Sequence, residues 1–200
     1  MEYLVTMTTH VPDGTSDDAV ADMRAREAEH SRQLAAQGHL LRLWRPPLQP
    51  GEWRSLGLFA ADDAGQLEDV LASMPLRVWR SDDVTPLAPH PNDPANQAGH
   101  SLPEFLTAFS TEIPPGTPRA AVEEVEAREA ASARELAAKG NLRRLWAMPG
   151  ERHVLGLWQA ADGAEMQAIV TSLPLDAWMT TEITPLTEHP SDPAILASAG

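Results

Sequence analysis

The amino-acid sequence predicts an α+β fold in which two ferredoxin-like βαββαβ repeats pack against each other within one chain. Three observations support this class. The 200-residue sequence repeats itself collinearly over nearly its whole length, which indicates a tandem duplication. Each copy shows the element order β-α-β-β-α-β. Such a unit leaves one sheet face uncovered, and a second copy can bury that face. The predicted repeats span residues 1–98 and 102–200, with the junction near Gly99 and His100.

The duplication consists of matched blocks that keep a constant spacing. Trp44 aligns with Trp146 at one offset, and after a shortening of the central loop by three residues His90 aligns with His189. One insertion or deletion therefore reconciles both registers, so that every element of the first repeat has a counterpart in the second.

The first repeat opens with a strand and a long helix. Its predicted elements are strand 3–9, helix 17–37, strands 40–45 and 53–59, a second helix between Asp63 and Pro75, and strand 84–87. Large side chains at every second position favour the first strand. Thr15 to Asp18 supply N-cap candidates and early negative charge for the long helix, which ends near Gly38.

The second half of the repeat follows from turn-forming and apolar residues. Proline and glycine break the chain between the two middle strands, which predicts an antiparallel pair. Asp62 and Asp63 can cap the second helix, and Pro75 ends it. The apolar stripe of that helix consists of Leu67, Val70, Leu71 and Met74. The last strand contains a proline, which favours an edge position.

Composition limits the classes of function. The formal net charge of −14 argues against nucleic acid or an anionic membrane surface as a partner, because both require a basic footprint. With no cysteine, neither disulfides nor thiolate metal sites can form. Neither repeat has zinc-ligand spacing, a phosphate-binding glycine loop or a serine-hydrolase motif. No segment has a membrane-spanning length, and we expect a cytoplasmic protein without a metal.

A glutamate lies within the apolar stripe of the long helix in each repeat. At helical spacing Glu27 shares a face with Met23 and Leu34, and Glu129 has the same place in the second copy. Burial is costly for an ionised carboxylate and raises its pKa toward the range in which it can take and return protons. We therefore predict that Glu27 and Glu129 are the catalytic residues.

Each of these residues also has a structural interpretation. A glutamate at the margin of a stripe commonly forms a salt bridge with a neighbouring arginine. The repeated tryptophans, Trp79 and Trp178 among them, are more often core residues than pocket walls. His90 and His189 lie in proline-rich terminal segments, where capping or packing is the expected role.

Several segments of the first repeat together form a recognisable set. They are the amino-terminal strand with Met7-Thr8, the helix with Glu27 and Glu29 leading to Gly38, the run Leu43-Trp44-Arg45, the segment Met74-Pro-Leu76, and His90-Pro91. In order and spacing each repeat resembles a muconolactone delta-isomerase almost from end to end. The resemblance implies an intramolecular dimeric α/β-barrel, isomerisation of muconolactone without a cofactor, and proton transfer by Glu27 and Glu129. Members of that family assemble into decamers, which implies a homo-oligomer of such pseudo-dimers here.

The third strand departs from the family pattern of a Tyr and an Asn that face the pocket. This chain has Trp53 and Ser55 in the first repeat, and Arg152 and Val154 in the second. Arg45 is a candidate anchor for an anionic substrate, but it aligns with Ala147, so we favour the Glu27 site as the more active one. The predicted substrate-binding residues are Arg45, Trp44, Trp53, Ser55, Trp146, Arg152 and His153.

Three classes of function remain open. The first is a cofactor-free isomerase that moves a proton and a double bond within a small unsaturated lactone. The second is a tailoring enzyme of secondary metabolism that catalyses a cyclisation, isomerisation or elimination of a larger polyketide-like substrate. The third is a binding protein without catalysis. Retention of the glutamate in both copies favours an enzyme, and the altered third strand favours the second class over strict muconolactone turnover.

Overall fold

The computed structural model describes residues 1–95 and 102–198. Its strands are β1 (Glu2–Thr9), β2 (Leu40–Arg45), β3 (Arg54–Ala60), β4 (Arg80–Pro89), β5 (Glu104–Thr111), β6 (Leu142–Ala147), β7 (His153–Gln159) and β8 (Met179–Glu188). Its α-helices are α1 (Asp17–Ala36), α2 (Ala64–Ser73), α3 (Arg119–Ala138), α4 (Gly163–Thr171) and α5 (Pro193–Ser198). Short 3-10 helices, Pro75–Trp79 and Asp176–Trp178, precede β4 and β8. The junction at Gly99 and His100 and the repeat ends at 98 and 200 lie outside the described residues.

Local sequence signals set the ends of α1 as predicted. The Ser16 hydroxyl accepts a hydrogen bond from the backbone N–H of Ala19 at 3.3 Å, and Asp17 and Asp18 lie in the first turn, where negative charge complements the helix dipole. Beyond the carboxyl end, Gly38 has φ +78°, a conformation that glycine adopts without steric cost. These contacts define where α1 begins and ends, and so which residues of the segment are helical.

The strands of each repeat pair antiparallel. β1 lies between β3 and β4, and β5 lies between β7 and β8. β4 is longer than the predicted strand 84–87, because its first residues continue the ladder to β1, with Arg80 opposite Thr9 and Asp82 opposite Met7. This extension carries Arg80 and Asp82 toward the site described below.

The chain forms two compact units that exchange the ends of the two repeats. Unit 1 consists of Met1–Leu87 and the segment from Thr187 onward, and unit 2 of Ala88–Leu186. In unit 1, the end of β8 pairs with β2. In unit 2, the end of β4 pairs with β6. The repeat boundaries describe the duplication of the sequence and remain a prediction.

The strand connections confirm the predicted fold class. The hydrogen-bonded order is β1-β3-β2-β8-β5-β7-β6-β4, and β4 pairs with β1 to close it. This is the α+β class of two ferredoxin-like repeats in a dimeric α/β-barrel. Within the described residues, no helix combines the length and apolar character needed to span a membrane.

The cores of the two units differ in the side chains beside β1 and β5. Unit 1 has Met7 and Phe59 in its core, whereas the aligned positions in unit 2 hold Phe109 and Trp158. The two rings of unit 2 meet edge to face at 6.2 Å, and the Trp158 indole N–H donates to the Thr107 hydroxyl at 2.8 Å. Larger, fixed aromatic rings therefore fill more of unit 2.

Candidate active site

A cavity of about 480 Å³ lies in unit 1. One wall is a face of α1 formed by Arg24, Glu27, Ala28 and Ser31, whose spacing of three and four residues places them on one side of a helix. Further walls come from β1, the β2–β3 region, the segment from Met74 to Arg80, and residues 189–191. The cavity thus combines one carboxylate with polar, basic and apolar side chains.

Glu27 contacts this cavity with a mostly buried side chain, 13% exposed. Its Oε2 accepts from the backbone N–H of Leu76 at 2.8 Å, and its Oε1 accepts from Nη1 of Arg80 at 3.2 Å. Burial raises the pKa of Glu27 above its ordinary value, although the Leu76 N–H and the Arg80 guanidinium lower it. A carboxyl with a raised pKa at a cavity wall is suited to both taking and giving a proton.

A chain of ion pairs fixes the arginine beside Glu27. The Arg80 side chain, 2% exposed, donates to Asp82 through Nε at 2.6 Å and Nη2 at 3.0 Å. Arg77 donates to the same carboxylate at 2.6 Å. The structural interpretation of Glu27 therefore holds in part, since it has an arginine partner. That partner comes from β4, and Glu27 still faces the cavity.

Glu129 lies in a much smaller site in unit 2. Its Oε2 accepts from the backbone N–H of Leu175 at 3.1 Å, and burial raises its pKa. The cavity beside it is about 70 Å³ and is lined in part by Phe109 and Trp158. Met179 aligns with Arg80 and Thr181 with Asp82, so the ion-pair chain of unit 1 has no counterpart here.

Three of the predicted substrate-binding residues lie around Glu27. Arg45, Trp53 and Ser55 line the unit 1 cavity. The Arg24 guanidinium lies over the Trp53 ring, 4.3 Å from its centroid. No carboxylate partner of the Arg45 guanidinium is found in the described part of the chain. These residues give the cavity an aromatic wall and a cationic rim.

The other four predicted binding residues are not brought to either cavity. Trp44 is 1% exposed and lies beneath Arg42, 4.7 Å from its ring centroid. Because side chains alternate along β2, Leu43 and Arg45 face the cavity and Trp44 faces away. Trp146 lies likewise under Arg144 in unit 2.

Arg152 and His153 are held at the start of β7. Arg152 forms an ion pair with Glu126 at 3.0 Å, and its φ of +59° belongs to a tight turn. His153 bonds to the Pro149 carbonyl at 3.2 Å. These local contacts keep both side chains away from Glu129.

His189 lines the site, although the sequence predicted only capping or packing for it. It lines the unit 1 cavity with Pro190 and Ser191, although it belongs to the second repeat. Its Nδ1 accepts from the backbone N–H of Ser191 at 3.1 Å. Burial, and then the nearby Arg45 guanidinium, lower the pKa of His189 to about 4, while Asp192 opposes the shift. The imidazole is therefore neutral at physiological pH.

The lowered pKa of His189 predicts a pH dependence of stability. Between pH ~6.5, the ordinary histidine value, and the folded value of about 4, the unfolded chain takes up a proton that the folded chain does not. The free energy of unfolding should therefore fall as the pH is lowered through this window. Urea unfolding at several pH values should show that the free energy of unfolding depends less steeply on pH in His189→Gln than in wild type. The same pH dependence in both proteins would contradict the burial of a neutral imidazole.

Arg80, Asp82 and Arg24 are further residues that sequence reasoning missed. Arg80 and Asp82 could have been noticed as charged residues whose aligned partners, Met179 and Thr181, are uncharged. Within residues 1–95 and 102–198, no group of His, Asp and Glu has a metal-binding arrangement.

Comparisons with known proteins point to one family. A family model described as muconolactone delta-isomerase matches residues 1–93 and 104–192. Muconolactone Delta-isomerase 1 of Acinetobacter lwoffii is 33% identical over 87 residues, which are 44% of this chain and 91% of that protein. Muconolactone Delta-isomerase of Cupriavidus pinatubonensis is 29% identical over 87 residues, 44% of this chain and 95% of that protein.

A solved structure is similar in fold alone. It is an arginine variant of chlorite dismutase from Candidatus Nitrospira defluvii, with a TM-score of 0.64 and 10% identity. The match covers 100% of this chain and 95% of the other. It agrees with the architecture described above.

Proposed function

The chain belongs to the muconolactone delta-isomerase family, and on that premise we propose that it is a cofactor-independent isomerase of a small, anionic, unsaturated lactone, with Glu27 as the base. The observation that carries the proposal is the position of Glu27, a carboxyl of raised pKa at the wall of a cavity with a cationic rim. Incubating the protein with muconolactone and following the ring protons by NMR tests it.

The proposed reaction moves one proton between two carbons. The Glu27 carboxylate removes the proton from the γ carbon, the ring carbon that adjoins the double bond on the side away from the carbonyl. The C–H electron pair enters the conjugated system and forms a dienolate. The protonated Glu27 then returns the proton to the carbon next to the carbonyl, on the same face, and the double bond has moved. One carboxyl performs both steps and leaves the site as it was, so that no cofactor is consumed.

Arg80 has a definite part in this scheme. A general base works best when its pKa lies near the operating pH. Burial alone raises the pKa of Glu27, and the Arg80 charge counteracts that rise. Asp82 takes up part of the Arg80 charge through two hydrogen bonds. Arg80 therefore favours the ionised form of Glu27 without holding it in a tight bidentate pair.

The sizes of the two cavities support placing the reaction in unit 1. The unit 2 cavity of about 70 Å³ has room for only a few water molecules at ~30 Å³ each. The unit 1 cavity of about 480 Å³ has room for a lactone with a carboxylate side chain. Phe109 and Trp158 line the smaller cavity, and we propose that Glu129 does not turn over substrate.

Arg45 is proposed to bind the carboxylate of the substrate. Arg45→Ala should raise KM about tenfold or more, because a hydrogen bond to a charged group contributes ~1.5–3 kcal/mol. The value of kcat should change little, since this interaction is the same in the ground and transition states. Steady-state kinetics with muconolactone measures both.

Arg119→Ala is a suitable control, because Arg119 lies in α3 of unit 2 with its side chain 91% exposed. It removes the same charge from the chain at a distance from the unit 1 cavity. Equal KM values for the two variants would show that Arg45 does not anchor the substrate.

A second candidate function is a tailoring reaction on a larger, polyketide-like substrate. The observation that favours it is the volume of about 480 Å³, which lies in the range of ~300–1,000 Å³ typical of sites that enclose drug-sized ligands. The Trp53 wall suits a flat ring. Faster turnover of a larger carboxylated lactone than of muconolactone would favour this candidate. Ligand binding without turnover of either compound would indicate a binding protein.

Assembly into a homo-oligomer remains a proposal that rests on the family. Size-exclusion chromatography with light scattering tests it, by comparing the solution mass with the chain mass of 21.7 kDa.

A further inference from the structure

The carboxyl-terminal segment brings a second functional group to the Glu27 cavity. Residues from Thr187 onward belong to unit 1, and His189, Pro190 and Ser191 form part of the cavity wall. Thr187 begins this passage with a hydrogen bond from its hydroxyl to the Arg45 carbonyl at 3.1 Å. The duplicated chain therefore completes the site of its first half with residues from the end of its second half.

A buried carboxylate holds this segment in place. Asp192 is 1% exposed and accepts from the Arg42 guanidinium at 3.0 and 3.1 Å. It also accepts from the backbone N–H of Leu43 at 3.1 Å. Leu43 itself lines the cavity, so Asp192 fixes the segment directly to a cavity wall.

The hydrogen bonding of His189 fixes its tautomer. Nδ1 accepts from the backbone N–H of Ser191, so in the neutral ring the proton resides on Nε2. Within the described residues, Nε2 has no hydrogen-bond partner. Two charged groups influence the ring, Arg45 with a positive charge and Asp192 with a negative one. Arg45 belongs to β2, and Asp192 is bonded to Arg42 and to the Leu43 N–H of the same strand.

A neutral imidazole donor suits the chemistry proposed for this cavity. When a dienolate forms, negative charge develops on the carbonyl oxygen of the lactone, and a donor fixed in advance stabilises it most strongly. A neutral donor leaves the Glu27 carboxylate free of a competing ion pair with the ring. Nε2–H therefore offers a donor from a residue that lines the cavity, without adding a cation.

We propose that His189 donates a hydrogen bond through Nε2–H to the carbonyl oxygen of the substrate as the dienolate forms, and that Asp192 positions it. This assignment rests on the proposed isomerase function. It makes His189 a catalytic residue beside Glu27, and makes the catalytic site of unit 1 depend on the end of the second repeat. No proton leaves His189 in the step, because the hydrogen bond strengthens and weakens as charge develops and disappears.

The first test compares His189→Phe with His189→Gln. Phe keeps the approximate shape of the ring and removes the donor, so kcat for muconolactone should fall by about 10²–10³-fold, as for loss of an oxyanion donor. Gln retains an N–H donor and should recover part of that loss. KM should change much less than kcat, because the bond strengthens mainly in the transition state.

The duplication supplies a matched control. His90 aligns with His189 and makes the same Nδ1 contact, to the Asn92 N–H at 3.1 Å, but in unit 2. His90→Phe should leave kcat unchanged. If His189→Phe folds, as shown by its urea unfolding curve, and keeps the wild-type kcat, the proposal is overturned. If its folding is lost, His189→Ala decides, because it also removes the donor: a folded His189→Ala with the wild-type kcat overturns the proposal.

The second test separates positioning from stability. Asp93 clamps Arg144 and the Leu145 N–H in unit 2 as Asp192 clamps Arg42 and the Leu43 N–H in unit 1. Asp192→Asn and Asp93→Asn should therefore lose comparable stability, while only Asp192→Asn lowers kcat. An equal kcat in both variants would refute the positioning role.

Failure of this inference is distinguishable from failure of the proposed function. Wild-type protein without muconolactone turnover defeats the isomerase proposal. Wild-type turnover that depends on Glu27 but is indifferent to His189→Phe defeats only the role of His189.

Discussion

Glu27→Gln is expected to lower kcat for muconolactone by about two to four orders of magnitude, the usual contribution of a general acid–base group. Gln keeps the shape of the side chain and an oxygen that can accept the Leu76 N–H, whose present distance from Oε2 is 2.8 Å. It cannot accept the substrate proton. Because binding depends on other groups of the cavity, KM should change far less than kcat.

The same substitution should leave stability unchanged or slightly increased. Burial raises the pKa of Glu27, which means that the folded state disfavours the ionised form. Above the unfolded pKa the ionised carboxylate therefore costs folding free energy, and Gln removes that cost. Arg80 keeps its two bonds to Asp82. Urea unfolding of both proteins at neutral pH measures the difference.

A purely structural Glu27 would give the opposite pattern. The loss of a necessary ion pair with Arg80 would lower the free energy of unfolding, and activity would follow only the folded fraction. A large loss of stability together with an unchanged kcat per folded molecule would thus contradict the catalytic role.

Arg80→Met should destabilise the protein by about 3 kcal/mol, because removing one member of a buried ion pair leaves its partner charge uncompensated. Asp82 is the partner most affected, since its side chain is 2% exposed and would retain Arg77 alone. Met is the residue that the second repeat has at this position, Met179, so its shape is compatible with the fold. Urea unfolding gives the magnitude.

The double variant Arg80→Met and Asp82→Thr should recover much of that stability. It copies Met179 and Thr181 of unit 2, and replacing a whole buried pair is often neutral. It should still impair catalysis. Arg80 lowers the pKa of Glu27 more than Asp82 raises it, so the pKa should rise when both are replaced. The acidic limb of the kcat/KM profile should then move to higher pH. A double variant no more stable than Arg80→Met, or an unmoved limb, would contradict this account.

Much of the fold could be predicted because its signals are local or repeated. Ser16 and Gly38 mark the ends of α1, and the collinear duplication gives the element order of unit 2 once that of unit 1 is known. Glu27 could be placed beside a pocket because a period of 3.6 residues puts it in line with Met23 and Leu34. These inferences need only neighbours in sequence.

The remaining part of the site depends on contacts between distant segments. Arg80 reaches Glu27 because β4 extends further than the apolar pattern predicted, and a polar extension gives no periodic signal. The proline-rich terminal segment around His189 predicted capping or packing, whereas the ends of the two repeats are exchanged and this segment belongs to unit 1. The sequence around Asp192 gave no indication of its pairing with Arg42, which lies 150 residues away.

The strand face on which Trp44 lies could have been predicted from the sequence. Trp44 alternates with Leu43 and Arg45 along one strand, so it cannot share their face. The small volume of the unit 2 cavity is also indicated by the sequence, since Met7 and Phe59 align with the larger Phe109 and Trp158. Interpreting that difference required knowing that Phe109 and Trp158 line the cavity beside Glu129.

The most direct test of the central claim is muconolactone turnover by four proteins: wild type, Glu27→Gln, Glu129→Gln and the double variant, each shown to be folded by its unfolding curve. The claim is that Glu27 in unit 1 carries the proton transfer. It predicts that Glu129→Gln retains the wild-type kcat, while Glu27→Gln and the double variant are reduced by the same factor. A folded double variant with the kcat of wild type would remove both glutamates from the mechanism and contradict the account.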